Sequence, residues 1–366
     1  MPDNTPIPPH MLSLRDYAAA ADRVLPEPVR AWLEGSSGHG TARRREAASF
    51  ARYAITPRVL ADLAGGTTAT SLLGQALAHP VLLAPVGYQA LVHREGEVAT
   101  AAGALDTVMA VSTMASRRVE DTAAAAAGPL WFQLYMQPAR ADTLALVRRA
   151  EAAGCRALLV TLDTPVQPAP IAALKAGFAM PPAIAPVHLA GFAAPEPVQG
   201  AWYNPALAPL CAAAPRMADL QWLRDQTSLP LIAKGVAHPD DAARLMALGW
   251  QGVSLSTHGG RALDEAPAPL ALLPAMRKAL GPHAAILLDG GVRSGGDVFK
   301  ALALGANAVM IGRPQIHALA VAGSLGVAHM LKLLREELEL TMVLAGTARI
   351  ADITAAALVS SGECPC

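Results

Sequence analysis

Charge is scarce in this 366-residue chain: Asp, Glu, Lys and Arg together make up 16% of it, and 29 basic side chains balance 29 acidic ones to a formal net charge of zero. Such a chain presents no basic field for nucleic acid and no acidic tract that would act as a solvating tail, so a small, weakly charged partner is expected. Cysteine is scarce too. The four residues, Cys155, Cys211, Cys364 and Cys366, show none of the paired spacing of a zinc site or a secreted disulfide framework, and a reducing cytoplasm is the simplest setting. Cys364-Pro365-Cys366 reads as a frayed tail with two idle thiols rather than a metal site or redox pair. No run reaches the roughly 18 uninterrupted apolar residues of a membrane span. The polar, proline-rich N-terminus, with Asp3 early, lacks the apolar stretch of a signal peptide. The expectation is a soluble protein with no membrane span.

Hydrophobic residues, by contrast, make up 53%, enough for one large core with extra segments or for two smaller domains. Periodicity chooses between them. From about residue 80, short Val/Leu/Ile-rich runs alternate eight times with amphipathic helical patterns, the count of a closed (β/α)8 barrel, the α/β TIM-barrel class. The predicted strands are Val81 to Ala84, Val108 to Ser112, Leu130 to Leu134, Ala157 to Asp163, Pro230 to Lys234, Gly252 to Ser256, Ala285 to Asp289 and Ala308 to Gly312. They are apolar on both faces, as buried parallel strands must be. Predicted helices include Glu95 to Asp106, Ala141 to Ala153, Pro239 to Leu248 and Asp297 to Leu304, with Gly154, Gly249 and Gly305 placed as C-caps.

Two segments fall outside the repeat. Residues 1–75 carry helical signals at Ser13 to Val24 and Glu27 to Leu33, then a Gly/Ser-rich turn from Gly35 to Gly40, and read as a helical cap on a 76–345 barrel, with 346–366 as a C-terminal tail. The connection after strand four holds eleven of the 30 prolines between Pro165 and Pro215 and reads as a long lid loop, about 165–215.

Polar residues gather at the predicted strand ends: Ser112, Gln133 with Tyr135, Thr161 with Asp163, Lys234, Ser256 with His258, Asp289 and Arg313. In a barrel those positions converge on one mouth, where active sites lie. Asp289-Gly290-Gly291-Val292-Arg293 after strand seven and Gly312-Arg313-Pro314 after strand eight describe a phosphate cradle: glycines let amides approach an anion, and two arginines add charge-assisted bonds. Ser256-Thr257-His258-Gly259-Gly260-Arg261 at strand six sets a proton acceptor three residues from a carboxylate-gripping guanidinium, a pair suited to removing the proton of a hydroxyl next to a carboxylate. Alone that pair is weak evidence. Asp163 would pair with the imidazolium, and Lys234 would supply buried positive charge where electrons accumulate.

These residues, with Trp131-Phe132-Gln133-Leu134-Tyr135, Thr161-Leu162-Asp163-Thr164-Pro165, Lys234-Gly235-Val236 and the stretch from Asp297 to Ala306, resemble the FMN-dependent 2-hydroxy acid oxidase and dehydrogenase family, which includes glycolate, lactate and mandelate-oxidising enzymes. The resemblance runs from about Ser13 to about Leu344. It implies that His258 takes the substrate's proton as two electrons pass to flavin N5, that Asp163 stabilises the protonated ring, and that Arg261 binds the carboxylate. It further implies that Tyr135 hydrogen-bonds the reacting oxygen and that Lys234 faces the flavin N1/O2 edge. Ring and ribityl contacts would come from Ala84, Pro85, Val86, Gly87, Ser112, Gln133, Thr161 and Ser256, and phosphate contacts from Gly291, Arg293, Gly312 and Arg313 beside Asp289. A homotetramer, reoxidised by oxygen or a soluble acceptor, is the corresponding expectation.

The chain departs from the family on one side of the site. Trp32 stands where the family has a carboxylate-binding tyrosine, and its indole donates only one hydrogen bond from a different place. Pro170 takes the register of an arginine, Thr257 replaces the asparagine before the histidine, and Met114 stands where some members carry tryptophan. Losing one charged hydrogen bond in a desolvated site costs on the order of 1.5–3 kcal/mol, so a larger 2-hydroxy acid than glycolate or lactate is expected, aryl or otherwise tailored. Alternatives stay open at this point: an isomerase or reductase on the same FMN barrel, an FMN-barrel enzyme for a different tailored substrate, a flavin-binding protein with relaxed catalysis, or a barrel without cofactor.

Overall fold

The computed structural model describes residues 6–192 and 214–360. Eight parallel strands close into a barrel: β1 Val81–Leu83, β2 Met109–Ser112, β3 Leu130–Leu134, β4 Leu158–Thr161, β5 Leu231–Lys234, β6 Gly252–Ser256, β7 Ala285–Asp289 and β8 Ala308–Ile311. Each pairs with its sequence neighbour, and β8 closes on β1 through Met310↔Leu82. Strands three, six and seven keep the bounds expected from sequence; strands two, four and five start one residue later, and strands one, four and eight end one or two residues earlier, where the chain leaves the ladder. The helices are α1 Leu14–Val24, α2 Glu27–Glu34, α3 Thr41–Ala51, α4 Glu97–Ala104, α5 Val119–Ala125, α6 Arg140–Ala152, α7 Ile171–Lys175, α8 Met217–Gln226, α9 Pro239–Ala247, α10 Pro269–Leu280, α11 Gly295–Ala303 and α12 Arg313–Ala345. Gly154, Gly249 and Gly305 adopt positive φ after their helices, as the C-cap reading requires.

Because side chains alternate across a strand, residues two apart share a face. On the inward face Leu82, Ala110, Trp131, Leu159, Ile232, Leu287 and Met310 form one dry cluster inside the barrel. Two residues further along each of the middle strands come Ser112, Gln133, Thr161, Lys234 and Asp289. The interior therefore runs from apolar to polar along one axis. Below, an antiparallel hairpin, Thr70–Leu72 with Gln75–Leu77, plugs the other end: Leu72 and Leu77 join the inner cluster, and the Trp131 indole donates to Gln75 Oε1 at 3.3 Å. Sequence reading did not anticipate this hairpin.

The cap splits in two. Helix α1, started by Ser13, whose Oγ accepts from the Asp16 amide at 3.3 Å, packs on α12, while α2 and α3 lie over the mouth. Helix α12 breaks at Ala322 and Gly323, where φ is −144° and +57°. It is, among the described residues, the one helix long and apolar enough to cross a membrane, and 61% of its most apolar window is buried in the protein. Residues Leu358–Ser360 pair with Tyr53–Ile55, tying the end of the described chain to the cap. The described part of the connection after β4 forms α7 and a turn to Phe192; residues 193–213, with Cys211 and most of the expected lid loop's second half, and Cys364 and Cys366 lie outside the described residues. Cys155 is a buried free thiol whose pKa burial pushes up to about 12, so it is an unreactive core residue. Phe299 on α11 is fully buried in the outer core, so Phe299→Ala should cost about 3–5 kcal/mol, read as a fall in the denaturation midpoint at unchanged slope.

Candidate active site

The mouth opens into a concave cavity of about 1080 Å³, its solvent-facing entrance included, the kind of place where small molecules and cofactors bind. Of the residues expected there from sequence, Ala84, Pro85, Val86, Gly87, Ser112, Tyr135, Lys234, His258, Arg261, Asp289, Gly291, Arg293, Gly312, Arg313 and Trp32 line it. Gln133, Thr161, Ser256 and Asp163 do not. They stand behind the wall and hold it: Ser112 donates to Gln133 Oε1 at 3.1 Å, Gln133 Nε2 donates to Thr161 Oγ1 at 2.9 Å, and the Ser256 hydroxyl donates to Asp289 at 3.0 Å.

Strand β5 ends on Lys234, buried, whose Nζ lies 2.6 Å from Asp289 Oδ2 and donates to Ser256 Oγ at 2.8 Å. Burial alone would lower its pKa, but Asp289 and Asp163 outweigh it and raise it, so the ammonium stays charged. Next to it Gly235, at φ +88°, leaves no room for a side chain, since a Cβ there would lie 2.3 Å from Asp163 Cβ. Asp163 is thereby pressed toward the mouth. Its Oδ1 lies 3.2 Å from His258 Nδ1; burial raises its pKa, but the His258 bond and Lys234 bring the net shift below the usual value. With Nδ1–H donating to this carboxylate, the neutral ring keeps a lone pair on Nε2, 3.3 Å from the Tyr135 hydroxyl. Burial pushes the Tyr135 phenol up to about 12, so it remains a donor at neutral pH.

His258 itself sits at φ +56°, a left-handed backbone that costs a non-glycine residue on the order of 1 kcal/mol. Arg261, across the turn, donates from Nη2 to the carbonyls of Trp32 and Leu33 and lies over the Trp32 ring, 4.7 Å from its centroid. The Trp32 ring stacks on Phe178, just after α7, at 5.5 Å and meets Tyr88 edge-on at 6.0 Å. Pro170 packs on Gly35, where a Cβ would fall 2.4 Å from Pro170 Cβ; the register of the family's arginine is filled by a proline against the cap. Gln167 and Met114 line the cavity nearby.

On the other side Gly290 and Gly291 adopt φ +128° and +78°. Side chains there would strike Glu46 and the Phe50 ring, so only bare backbone fits between α3 and the cavity. Four guanidinium groups gather near this end: Arg293, Arg313 and Arg261 line the cavity, and Arg43 lies close by. Burial pulls Arg313 down to about 9 and Arg261 to about 10, both still cationic at neutral pH. Arg313 donates to the carbonyls of Gly259 at 2.7 Å, Leu33 at 3.2 Å and Gly35 at 3.3 Å, with Glu34 at 3.8 Å. Desolvated cations beside two glycine amide turns fit a phosphate, and the cavity continues from them past Lys234 to His258. The chemistry of this cradle fits the phosphate of a flavin mononucleotide.

Sequence reading missed Glu34, Glu46, Tyr88, Gln167 and His317, which also line the cavities here. None lies in a strand-end motif. Glu34 is held by His317 Nε2 at 2.7 Å and by Arg43; burial raises its pKa, and these partners with Arg313 bring it to about 2.

Eight parallel strands with an anion cradle after the last two and a carboxylate-oriented histidine on the sixth define a flavin-type (β/α)8 oxidoreductase. The model of the FMN-dependent dehydrogenase family matches residues 21–360. An L-lactate oxidase of Alicycliphilus denitrificans is 48% identical over 95% of this chain and 96% of its own, and glycolate oxidase 5 of rice 37% identical over 93% and 94%. A crystal structure of mandelate oxidase with (S)-2-phenylpropionate superposes with a TM-score of 0.86 at 36% identity, over 96% of this chain and 98% of that one. The chain belongs to the FMN-dependent 2-hydroxy acid oxidase family; it is an FMN-dependent oxidoreductase acting on 2-hydroxy acids.

Two outcomes follow from the charges. Lys234→Met should leave Asp289 buried and unpaired and cost about 3–5 kcal/mol, measured by chemical denaturation. The depressed Glu34 contributes stability that is full above its unfolded pKa of 4.5 and drains as pH falls toward about 2; Glu34→Gln should flatten the stability curve in that window, with little change in its shape above pH 6.

Proposed function

We propose that the preferred substrate is a 2-hydroxy acid larger than glycolate or lactate, with an aryl or similarly flat side chain, and that His258 is its base. Bound FMN supplies the two-electron acceptor that the side chains lack. The residues do the rest. Arg261 holds the substrate carboxylate, Tyr135 donates to the hydroxyl oxygen, and His258 Nε2 takes the hydroxyl proton while Nδ1–H stays bonded to Asp163. That carboxylate, charged at neutral pH, offsets the imidazolium that results. Lys234, fixed by Asp289 and Ser256, places a permanent positive charge on the cavity floor.

The observation that carries the choice of substrate is the aromatic surface of Trp32, stacked on Phe178 and met by Tyr88, beside Arg261. A flat ring gains area and edge-to-face contact there, while Pro170 gives the substrate carboxylate no second cation, so a small acid with little side-chain surface has less to hold it. The relative named mandelate oxidase accords with this reading. A second reading, L-lactate, is favoured by the name of the 48% identical relative. Oxygen or a soluble acceptor completes the cycle in either case.

Anaerobic mixing of the flavin-loaded protein with a panel of mandelate, L-lactate and glycolate decides between them. Mandelate should bleach the flavin with the highest rate per concentration, about tenfold or more above glycolate; a faster reaction with lactate would establish the second reading instead. His258→Ala should slow bleaching by about 10²–10⁴-fold while the protein still binds FMN.

A further inference from the structure

Glu46 has no part in the chemistry above, yet it is 3% exposed at the edge of the flavin cavity. Taking a carboxyl so far out of water is costly, and burial pushes its pKa above the ordinary value. What the structure sets against that cost is Thr257, equally buried, whose hydroxyl donates to Glu46 Oε1. A hydroxyl has one proton and two lone pairs. With the proton given to Glu46, a lone pair is turned to the Gly260 amide, which donates to Thr257 Oγ1 at 3.0 Å. One hydroxyl thus ties α3 to both ends of the turn that carries His258.

That turn needs holding. His258, Gly259 and Gly260 stand at φ +56°, +64° and +79°, three left-handed residues in succession. Its backbone is held from several sides: Ser256 Oγ accepts from the His258 amide at 2.9 Å, Arg313 donates to the Gly259 carbonyl at 2.7 Å, and the Ser37 amide donates to the Gly260 carbonyl at 2.8 Å. These bonds fix backbone groups from strand β6, the β8 end and the cap loop. The Glu46–Thr257 bond is the one that anchors the turn to α3, and the bare Gly290 gives the carboxyl its room, 2.9 Å from where a Cβ would sit.

We propose that Glu46 is a positioning residue: through Thr257 it holds residues 257–261, and with them the His258 imidazole and the Arg261 guanidinium, in register with each other. The inference rests on the reading of His258 as base and Arg261 as carboxylate holder. It also gives Thr257, which stands where the family commonly has asparagine, a specific partner, since a threonine hydroxyl there requires an acceptor opposite it. Small misplacements of reacting groups are expensive in rate, so loss of the bond should lower kcat and raise KM together.

The test uses flavin-loaded holoenzyme, with rates normalised to bound FMN, the hydroxy acid that bleaches wild type fastest, and hydrogen exchange of the 256–262 peptide. Thr257→Val and Glu46→Leu should each lower kcat/KM about tenfold, split between kcat and KM, and speed exchange of the turn. The double variant should be no worse than the poorer single one. Thr257→Ser, which keeps the hydroxyl, and Glu46→Gln, which keeps an acceptor oxygen, should stay within about threefold of wild type. The FMN dissociation constant of each variant, measured by fluorescence titration of apoprotein, should change less than the kinetic constants do. Additive losses, equal loss in the conservative and disruptive variants, or unchanged kinetics and exchange in Thr257→Val would each overturn the proposal while leaving the substrate reading intact. Wild-type flavin that no hydroxy acid bleaches would overturn that reading instead, and the exchange rates of the turn would still show whether Glu46 and Thr257 hold it.

Discussion

A closed ring of parallel strands is filled from the inside, and that constraint shapes everything else here. Inward positions below the rim are nearly all apolar, packed among Trp131, Leu159, Ile232, Leu287 and Met310; the small Ser254, whose hydroxyl lies 3.9 Å from Met310 Sδ, is an exception. Larger polar and charged side chains that face inward sit at the strand ends, where they find partners among the other strand ends. Lys234, Asp289 and Ser256 show the result: three such residues on adjacent strands, bonded to one another at 2.6–3.0 Å. The site is polar because it is the one end of the barrel where polar groups can be satisfied, and the hairpin plug at the other end keeps it so.

The rim alone does not make the site. Arg261 and Arg313 spend donors on the carbonyls of Trp32, Leu33 and Gly35, and Glu34 from α2 brings a half-buried carboxyl and Glu46 from α3 a buried one. The N-terminal helices thus act as a counter-surface that orients the barrel's cations. Without it, four guanidinium groups would repel one another across a dry cavity.

Agreement with the family is uneven across the site. The flavin side, from Gly87 through Lys234 to the Gly290–Gly291 turn, has the backbone geometry a phosphate-bearing cofactor needs. The opposite side carries the departures Trp32, Pro170, Met114 and Thr257, and three of them meet a packing partner: Phe178 against Trp32, Gly35 against Pro170, Glu46 opposite Thr257. A side that had merely decayed would leave such substitutions unmatched.

Much of this was legible in the chain. Strand count and order follow from the alternation of apolar runs and helical patterns, since burial on both faces leaves few other arrangements. The strand-end residues follow from period-two alternation, which a local sequence carries in full. Glycine turns followed by arginine are equally local, as is the histidine three residues before Arg261. What the sequence could not supply is whatever depends on one segment meeting another far along the chain. Helix α3 has no strong amphipathic pattern, so Glu46 gave no signal until the fold set it beneath Thr257, 211 residues away. Glu34 and His317, 283 residues apart, are likewise paired only in space. The sequence by itself determined the barrel and which side chains ring its mouth, because those depend on short-range periodicity. The tertiary structure alone decided which of them are held, and by what, because those bonds join groups that only closure of the barrel and docking of the N-terminal helices bring within reach.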